Sequence, residues 1–319
     1  MPVQVATSGR NRLTDRIRQA LRANVPAPLA LAGDDLGHPT VLRSCSEILT
    51  RSGWFATLVS LEKVIAFTSF GGTMTGFYLQ PSAGCDFIVA LLGGFTLFWR
   101  SSVLSVPRAS QRLLALLALH GRMVERAAVA GTLWPDGSES QAYSNLRSAI
   151  SRLQNTARRA LAASKLELGL AEGVTVDLRH AQTLARRLLD PAVTPDQSEL
   201  GMAAVAALSA DLLPHWYDDW VLIEAEDWRQ LRLHALEALA GRLIGAGRWG
   251  EAAGAAGAAV RAEPLRESGH VALIQVHLAE GNQSEAVREF TRYRALLRTE
   301  LGLEPTHRVR QLVQGLQSS

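Results

Sequence analysis

SESQAYSNLRSAISRLQNTARR, Ser138 to Arg159, is the stretch whose reading decides the fold. Wound as a helix at about 100° per residue, it sorts into two faces. Ala142, Leu146, Ala149, Ile150 and Leu153 fall on one side, at the i, i+3, i+4, i+7 spacing of a buried stripe. Gln141, Ser144, Ser148, Ser151, Arg152, Asn155, Arg158 and Arg159 fall on the other, with Asn145 and Arg147 on its flanks. No acidic residue occurs from Gln141 to Leu166. A wet face of Arg, Ser, Asn and Gln does not repel phosphate, and these side chains bond both base edges and phosphate oxygens. The pattern reads as a DNA recognition helix. The competing reading is an ordinary solvated face, but such faces usually mix both signs of charge.

The flanking sequence supports the first reading. Residues 86–106 hold β-branched and aromatic residues broken by Gly93-Gly94 and by Arg100 to Ser102, the pattern of short strands. Pro107 then opens a helix rich in Leu113, Leu114, Leu116, Leu117 and Leu119, which Gly121 ends. A second helix, Glu125 to Trp134, stops at the turn Pro135-Asp136-Gly137, and the quoted stretch follows at once. Leu166 to Leu170 and Val174 to Leu178 then alternate around Ala171-Glu172-Gly173 and predict a hairpin. Strands, three helices and a hairpin make a helix-turn-helix with a β-wing. Between Arg100 and Lys165, ten Arg and Lys stand against Glu125, Asp136 and Glu139, a local charge of +7 in a chain whose total is +3. Basic charge concentrated in one segment is an electrostatic footprint for a polyanion.

From Arg179 onward the pattern is helical: Arg179–Leu189, Glu199–Leu208, Trp220–Ala246, Trp249–Ala262, Leu265–Glu280, Ser284–Leu301 and Thr306–Leu316. Gly247, Glu251 and Ala252 recur as Gly281, Glu285 and Ala286, an offset of 34 residues, and Leu239 recurs as Leu273. That period belongs to tetratricopeptide-like helix pairs, in which the glycine forms the inter-helix turn and units bury their apolar faces by stacking. The predicted fold class is therefore mainly α: a winged helix-turn-helix with short strands, followed by a TPR-like helical repeat. The predicted domains are 1–85, an N-terminal extension of unknown fold; 86–178, the DNA-binding part; and 179–319, the helical repeat.

The totals bound the rest. A chain of 319 residues, 47% hydrophobic and 20% charged, buries real cores. Cys45 and Cys85 form no disulfide framework and lack metal-ligand spacing, so free thiols in a reducing cytoplasm are expected. No apolar run reaches the roughly 18 residues that span a bilayer. Arg10, Arg12, Arg16 and Arg18 have no apolar run behind them, so no secretory signal is expected. Within 1–85, Leu13–Ala23 and Thr40–Arg51 read as helices, Asn24–Pro39 as a linker and Gly53–Leu79 as a mixture of β-formers. Gly245-Ala-Gly247-Arg-Trp-Gly250 matches the dinucleotide-binding GxGxxG but leaves a helix instead of a strand, so the repeat turn explains it better. No P-loop, GxSxG or HExxH pattern occurs, and the eight histidines are scattered. No enzyme activity, cofactor or metal is expected. Trp216, Tyr217, Trp220 and Trp228 read as core aromatics, with a partner-binding patch as the alternative.

These residues resemble the AfsR/SARP type of bacterial transcriptional activator over roughly 87–316. Leu92-Gly93, Gln111-Arg112 with the leucines after it, Leu133-Trp134-Pro135-Asp136 and Asn145 to Leu153 look like the family's OmpR-type DNA-binding domain. Leu212-Leu213-Pro214, Tyr217-Asp218-Asp219-Trp220, Pro264-Leu265-Arg266-Glu267 and Glu300-Leu301-Gly302-Leu303-Glu304-Pro305 look like its bacterial transcriptional activation domain. The chain departs from the family where Gly173-Val174-Thr175-Val176 stands at the end of the expected wing, and where Ala127-Ala128 replaces residues that are often acidic. The resemblance implies a cytoplasmic activator that binds direct repeats in double-stranded DNA, recruits RNA polymerase and often acts as a homodimer or side-by-side pair. By position, Ser144, Asn145, Arg147, Ser148, Ser151 and Arg152 face the major groove, and Asn155, Arg158 and Arg159 complete the expected contact surface. The alternative function is a protein-interaction scaffold whose winged helix no longer binds DNA.

Overall fold

Short strands precede and enclose four helices, and only helices follow, in a computed structural model that describes residues 87–197 and 199–314. The elements expected within 1–85 lie outside the described residues. Strand β1 (Phe87–Ala90) pairs antiparallel with β2 (Thr96–Trp99), and β2 with β3 (Ser102–Leu104). Alternation puts Phe87, Val89 and Leu97 in the core, as expected of a sheet wet on one side. Helix α1 (Arg108–His120) starts after Pro107 and ends at Gly121, whose φ of 70° is the left-handed C-terminal conformation that glycine adopts readily. After the two-residue strand β4 (Val124–Glu125) comes α2 (Arg126–Leu133). Leu113, Leu116 and Leu117 of α1 pack with Val129, Ala130 and Leu133 of α2.

The stretch 138–159 is two helices. Helix α3 runs Glu139–Ser151, and a single turn, α4, runs Asn155–Arg158. The expected continuous helix fails because its apolar stripe serves two cores. Ala142, Leu146 and Ala149 face α1 and α2, whereas Leu153 and Ala157 turn into the larger core under β1. The side chain of Arg158 folds back and donates to the Ile150 and Ser151 carbonyls, at 3.0 Å each, adding to the Leu153 N–H that Ile150 already accepts at 3.3 Å.

The expected hairpin also differs. The wing is β5 (Leu161–Ala163) against β6 (Glu167–Leu170), with β4 on the far side of β6. Strand β7 (Thr175–Val176) leaves it and pairs in parallel with β1. Its side chains are buried in the first sheet, and the next residue fixes it there. Asp177, 1% exposed, accepts from the backbone N–H of Leu91 (2.8 Å), Leu92 (3.0 Å) and Leu178 (2.7 Å). Burial pushes its carboxyl up to about 6, opposed by these N–H bonds, so the group is charged at neutral pH.

Helix α5 (Asp177–Leu189) leads into α6 (Met202–Ser209), which starts three residues later than expected. Two helix pairs follow: α7 (Asp219–Gly245) with α8 (Trp249–Ala262), and α9 (Glu267–Glu280) with α10 (Gln283–Leu301); α11 is His307–Gln314. Gly247 and Gly281, the residues 34 apart, both take positive φ (70° and 86°), and Ala252 and Ala286 are fully buried at the matching positions. The repeat read from the sequence is thus a repeat in the backbone. Ala252, Ala255, Ala256 and Ala259 let α8 lie close against α7. One core runs from Phe87 through Leu178 and Trp228 to Val276, across the expected boundary at 178/179.

Replacing Asp177 with Asn turns an NH2 toward a backbone N–H, because both oxygens accept. A lower urea midpoint is expected, by about 1–3 kcal/mol; an unchanged midpoint refutes the role given to Asp177. Arg158→Ala removes the guanidinium from the Ile150 and Ser151 carbonyls. Faster amide hydrogen exchange over the last turn of α3 is expected, with a loss of about 0.5 kcal/mol.

Candidate nucleic-acid interface

Helix α3 is mounted at both ends. Ser138 and Gln141 form a capping box: the Ser138 N–H donates to the Gln141 side chain at 3.0 Å, and the Gln141 N–H donates to the Ser138 hydroxyl at 3.4 Å. Near the other end, the buried Ser110 hydroxyl of α1 donates to the Ala149 carbonyl at 2.7 Å. With Ala142, Leu146 and Ala149 buried beneath it, the helix presents a fixed outer face.

That face holds Ser144, Asn145, Arg147, Ser151 and Arg152, all exposed, and Ser148, half-buried. Their six side chains fall within an arc of about 160°. They form two adjacent rows: Ser144, Arg147 and Ser151, then Asn145, Ser148 and Arg152. The Ser151 hydroxyl bonds the Ser148 carbonyl at 3.0 Å. Among the described residues no carboxylate pairs with Arg147 or Arg152. Asn155, Arg158 and Arg159 are exposed too, but on α4, past the end of the expected recognition helix. Arg158 is occupied in capping α3, and the Arg159 guanidinium lies 6.0 Å from the Phe87 ring centre.

The sequence reading missed the wing tip. Residues Ser164 to Leu166 join β5 to β6, where a turn had not been placed. The Ser164 hydroxyl accepts from the N–H of Leu166 (3.2 Å) and Glu167 (2.9 Å). The Arg126 guanidinium holds the Ser164 carbonyl from α2 at 2.9 and 3.1 Å. Lys165 and Leu166, the latter 77% exposed, therefore stand out on a braced tip. A serine before two residues that leave the alternating pattern was the available signal. Of Gly173 to Val176, read as the end of the wing, Gly173 and Val174 lead into β7, and Thr175 and Val176 are β7.

The aromatic cluster divides. Trp216 and Trp228 are buried, and Trp228 donates its indole N–H to the Ala210 carbonyl at 2.9 Å. Trp220 is half-buried, and Tyr217 is 78% exposed. Next to Tyr217, the first turns of α7 expose Leu222 and Ile223 among Asp219, Glu226 and Asp227. The Arg108 guanidinium lies 3.7 Å over the Trp216 ring, and Arg112 pairs with Asp218, so α1 is fixed to the start of α7. Gly245 to Gly250 is the turn between α7 and α8, with no strand before it. Among the described residues there is no group of three or more His, Cys, Asp or Glu placed to hold a metal ion, and no helix long and apolar enough to cross a membrane.

Residues 176–317 match the bacterial transcriptional activator domain family. The chain is 27% identical to the regulatory protein AfsR of Streptomyces griseus over 231 residues, 68% of this chain and 23% of that protein. It is 28% identical to AfsR of Streptomyces coelicolor over 218 residues, 65% of this chain and 22% of that one. It therefore spans about a quarter of the length of these curated relatives. The structure of Mycobacterium tuberculosis EmbR in complex with a low-affinity phosphopeptide shares the fold, with a TM-score of 0.55 at 21% identity over 73% of this chain and 65% of that one. The chain is thus similar to the AfsR regulatory proteins over about two thirds of its length, and residues 176–317 match the bacterial transcriptional activator domain.

Proposed function

We propose that this protein binds double-stranded DNA sequence-specifically and activates transcription from the promoters it occupies. The observation that carries this reading is the outer face of α3: an exposed, acid-free arc of Ser144, Asn145, Arg147, Ser148, Ser151 and Arg152 on a helix pinned at both ends. Helix α3 enters the major groove. Arg147 and Arg152 suit guanine edges, and Asn145 suits adenine. Lys165 at the wing tip reaches phosphate beside the adjacent groove. Asn155 and Arg159, past the end of α3, would add contacts to the backbone of the same duplex. Direct repeats near a promoter fit a chain that reads one half-site with one helix. The helical part meets RNA polymerase or a second protomer, and exposed Tyr217, Leu222 and Ile223 among carboxylates support a protein contact there, because carboxylates repel phosphate.

A scaffold without DNA binding is the second reading. Its motives are the atypical sequence Gly173 to Val176 and the N-terminal segment 1–85; the first leads into the first sheet and leaves the wing tip intact, and the second lies outside the described residues. An electrophoretic shift with DNA from the protein's own upstream region separates the two: a shift at low salt is expected, and none there favours the scaffold. Arg147→Ala and Arg152→Ala should each weaken specific binding by about 1–3 kcal/mol and relax sequence preference. Lys165→Ala should weaken all sequences alike and reduce the salt slope by about 1. Unchanged affinity in both arginine variants removes α3 from the interface.

A further inference from the structure

The second helix pair buries a charged contact for which DNA binding has no use. His270 of α9 and Glu289 of α10 are each 2% exposed. The imidazole Nε2 lies 2.8 Å from the Pro264 carbonyl oxygen, and Nδ1 lies 2.7 Å from Glu289 Oε1. A carbonyl only accepts, so Nε2 carries a hydrogen. The Nδ1–Oε1 line then needs a proton of its own, either on the ring, as imidazolium facing carboxylate, or on the acid, facing a neutral ring. Without that proton, a nitrogen lone pair and a carboxylate oxygen meet at 2.7 Å out of reach of water.

We propose that the His270–Glu289 pair holds one proton, and that this proton fastens α9 to α10 and, through them, α11, so that the C-terminal helices loosen as pH rises. The connections extend from the pair. The imidazole stacks on Tyr293 of α10, with ring centres 4.1 Å apart. Glu267 of α9, beside Tyr293, accepts from the N–H and hydroxyl of Thr306, just before α11. Arg292 pairs with the second oxygen of Glu289 from the solvent side. Other charged groups on the surrounding elements are the Arg266–Glu237 pair, which joins the α8–α9 loop to α7, Glu263 with Arg229, and the exposed Arg261, His307, Arg308 and Arg310. Burial, and with it the Arg292 charge, lowers the His270 imidazole, but losing the shared proton leaves a buried carboxylate facing a lone pair at 2.7 Å, so the pair keeps it.

The sign follows from linkage. In the unfolded chain the imidazole releases its proton near its ordinary 6.5. The folded pair keeps one proton to higher pH, so the stability it contributes is present below about pH 6.5 and is lost as pH rises through the pair's own value. Glu289→Gln is the discriminating variant, since its amide N–H donates to Nδ1 at the same size and without an exchangeable charge. In urea melts of the full chain, the unfolding constant of the wild type is expected to rise relative to the Gln variant, by up to tenfold per pH unit above about 6.5, until the folded pair itself releases its proton. Parallel pH profiles for the two proteins overturn the proposal. Should the variant not fold, nitrogen-15 spectra of the His270 ring together with carbon-13 spectra of the Glu289 carboxyl in the wild type decide at pH 6.5. Two protons on the His270 ring, or one together with a protonated Glu289 carboxyl, support the pair; one ring proton beside an ionised Glu289 refutes it.

Discussion

A buried carboxylate closes the centre of this molecule. Where β1 ends, the N–H groups of Leu91 and Leu92 point into the core with no strand left to receive them, and Asp177 takes both along with that of Leu178. A buried N–H without a partner costs as much as a lost hydrogen bond, so these donors dictate where Asp177 must sit. That placement draws β7 out of the wing and into the first sheet. It also starts α5 at the sheet edge and aims the helical part across β1. Just beyond, Leu213 donates to the Leu91 carbonyl (2.9 Å) and Gly93 to the Asp211 carbonyl (2.7 Å), so the loop after α6 is stitched to the same edge.

The consequence is a stiff junction. Strand β1, helix α5 and the start of α7 share one core, and α1 adds Arg112 on Asp218 and Arg108 over Trp216. Helix α3 is in turn fixed to α1 by apolar packing and by the Ser110 hydroxyl on the Ala149 carbonyl. The face read as DNA-binding and the exposed Tyr217, Leu222 and Ile223 are therefore held in a set relation through packed side chains.

Farther along, the stacked pairs α7–α8 and α9–α10 are mostly held by Ala and Leu packing, which is insensitive to pH. The His270–Glu289 contact is different in kind. It places two ionisable groups where only a proton reconciles them. Among the described residues it lies at the end of the chain remote in sequence from α3, so its state bears on the last helices before it bears on the reading face.

The sequence by itself determined the local and periodic features. The leucine stripe of α1, the Pro135-Asp136-Gly137 turn, the acid-free face of α3 and the 34-residue recurrence of Gly247 and Gly281 are all written in short-range patterns. Each pattern acts through the helix period or through a glycine's access to positive φ. The tertiary structure alone decided how the pieces share cores. The helix starting at Glu139 breaks at Arg152 with no Gly or Pro to announce it, because Leu153 is drawn to a different core from Leu146. Asn155, Arg158 and Arg159 thereby leave the face that an unbroken helix predicts. Thr175-Val176 pairs with β1 instead of closing a hairpin, because donors 85 residues away in sequence needed Asp177. Periodicity reports which side of an element is buried; it carries no information about which partner buries it, and that choice belongs to contacts made only when the whole chain has folded.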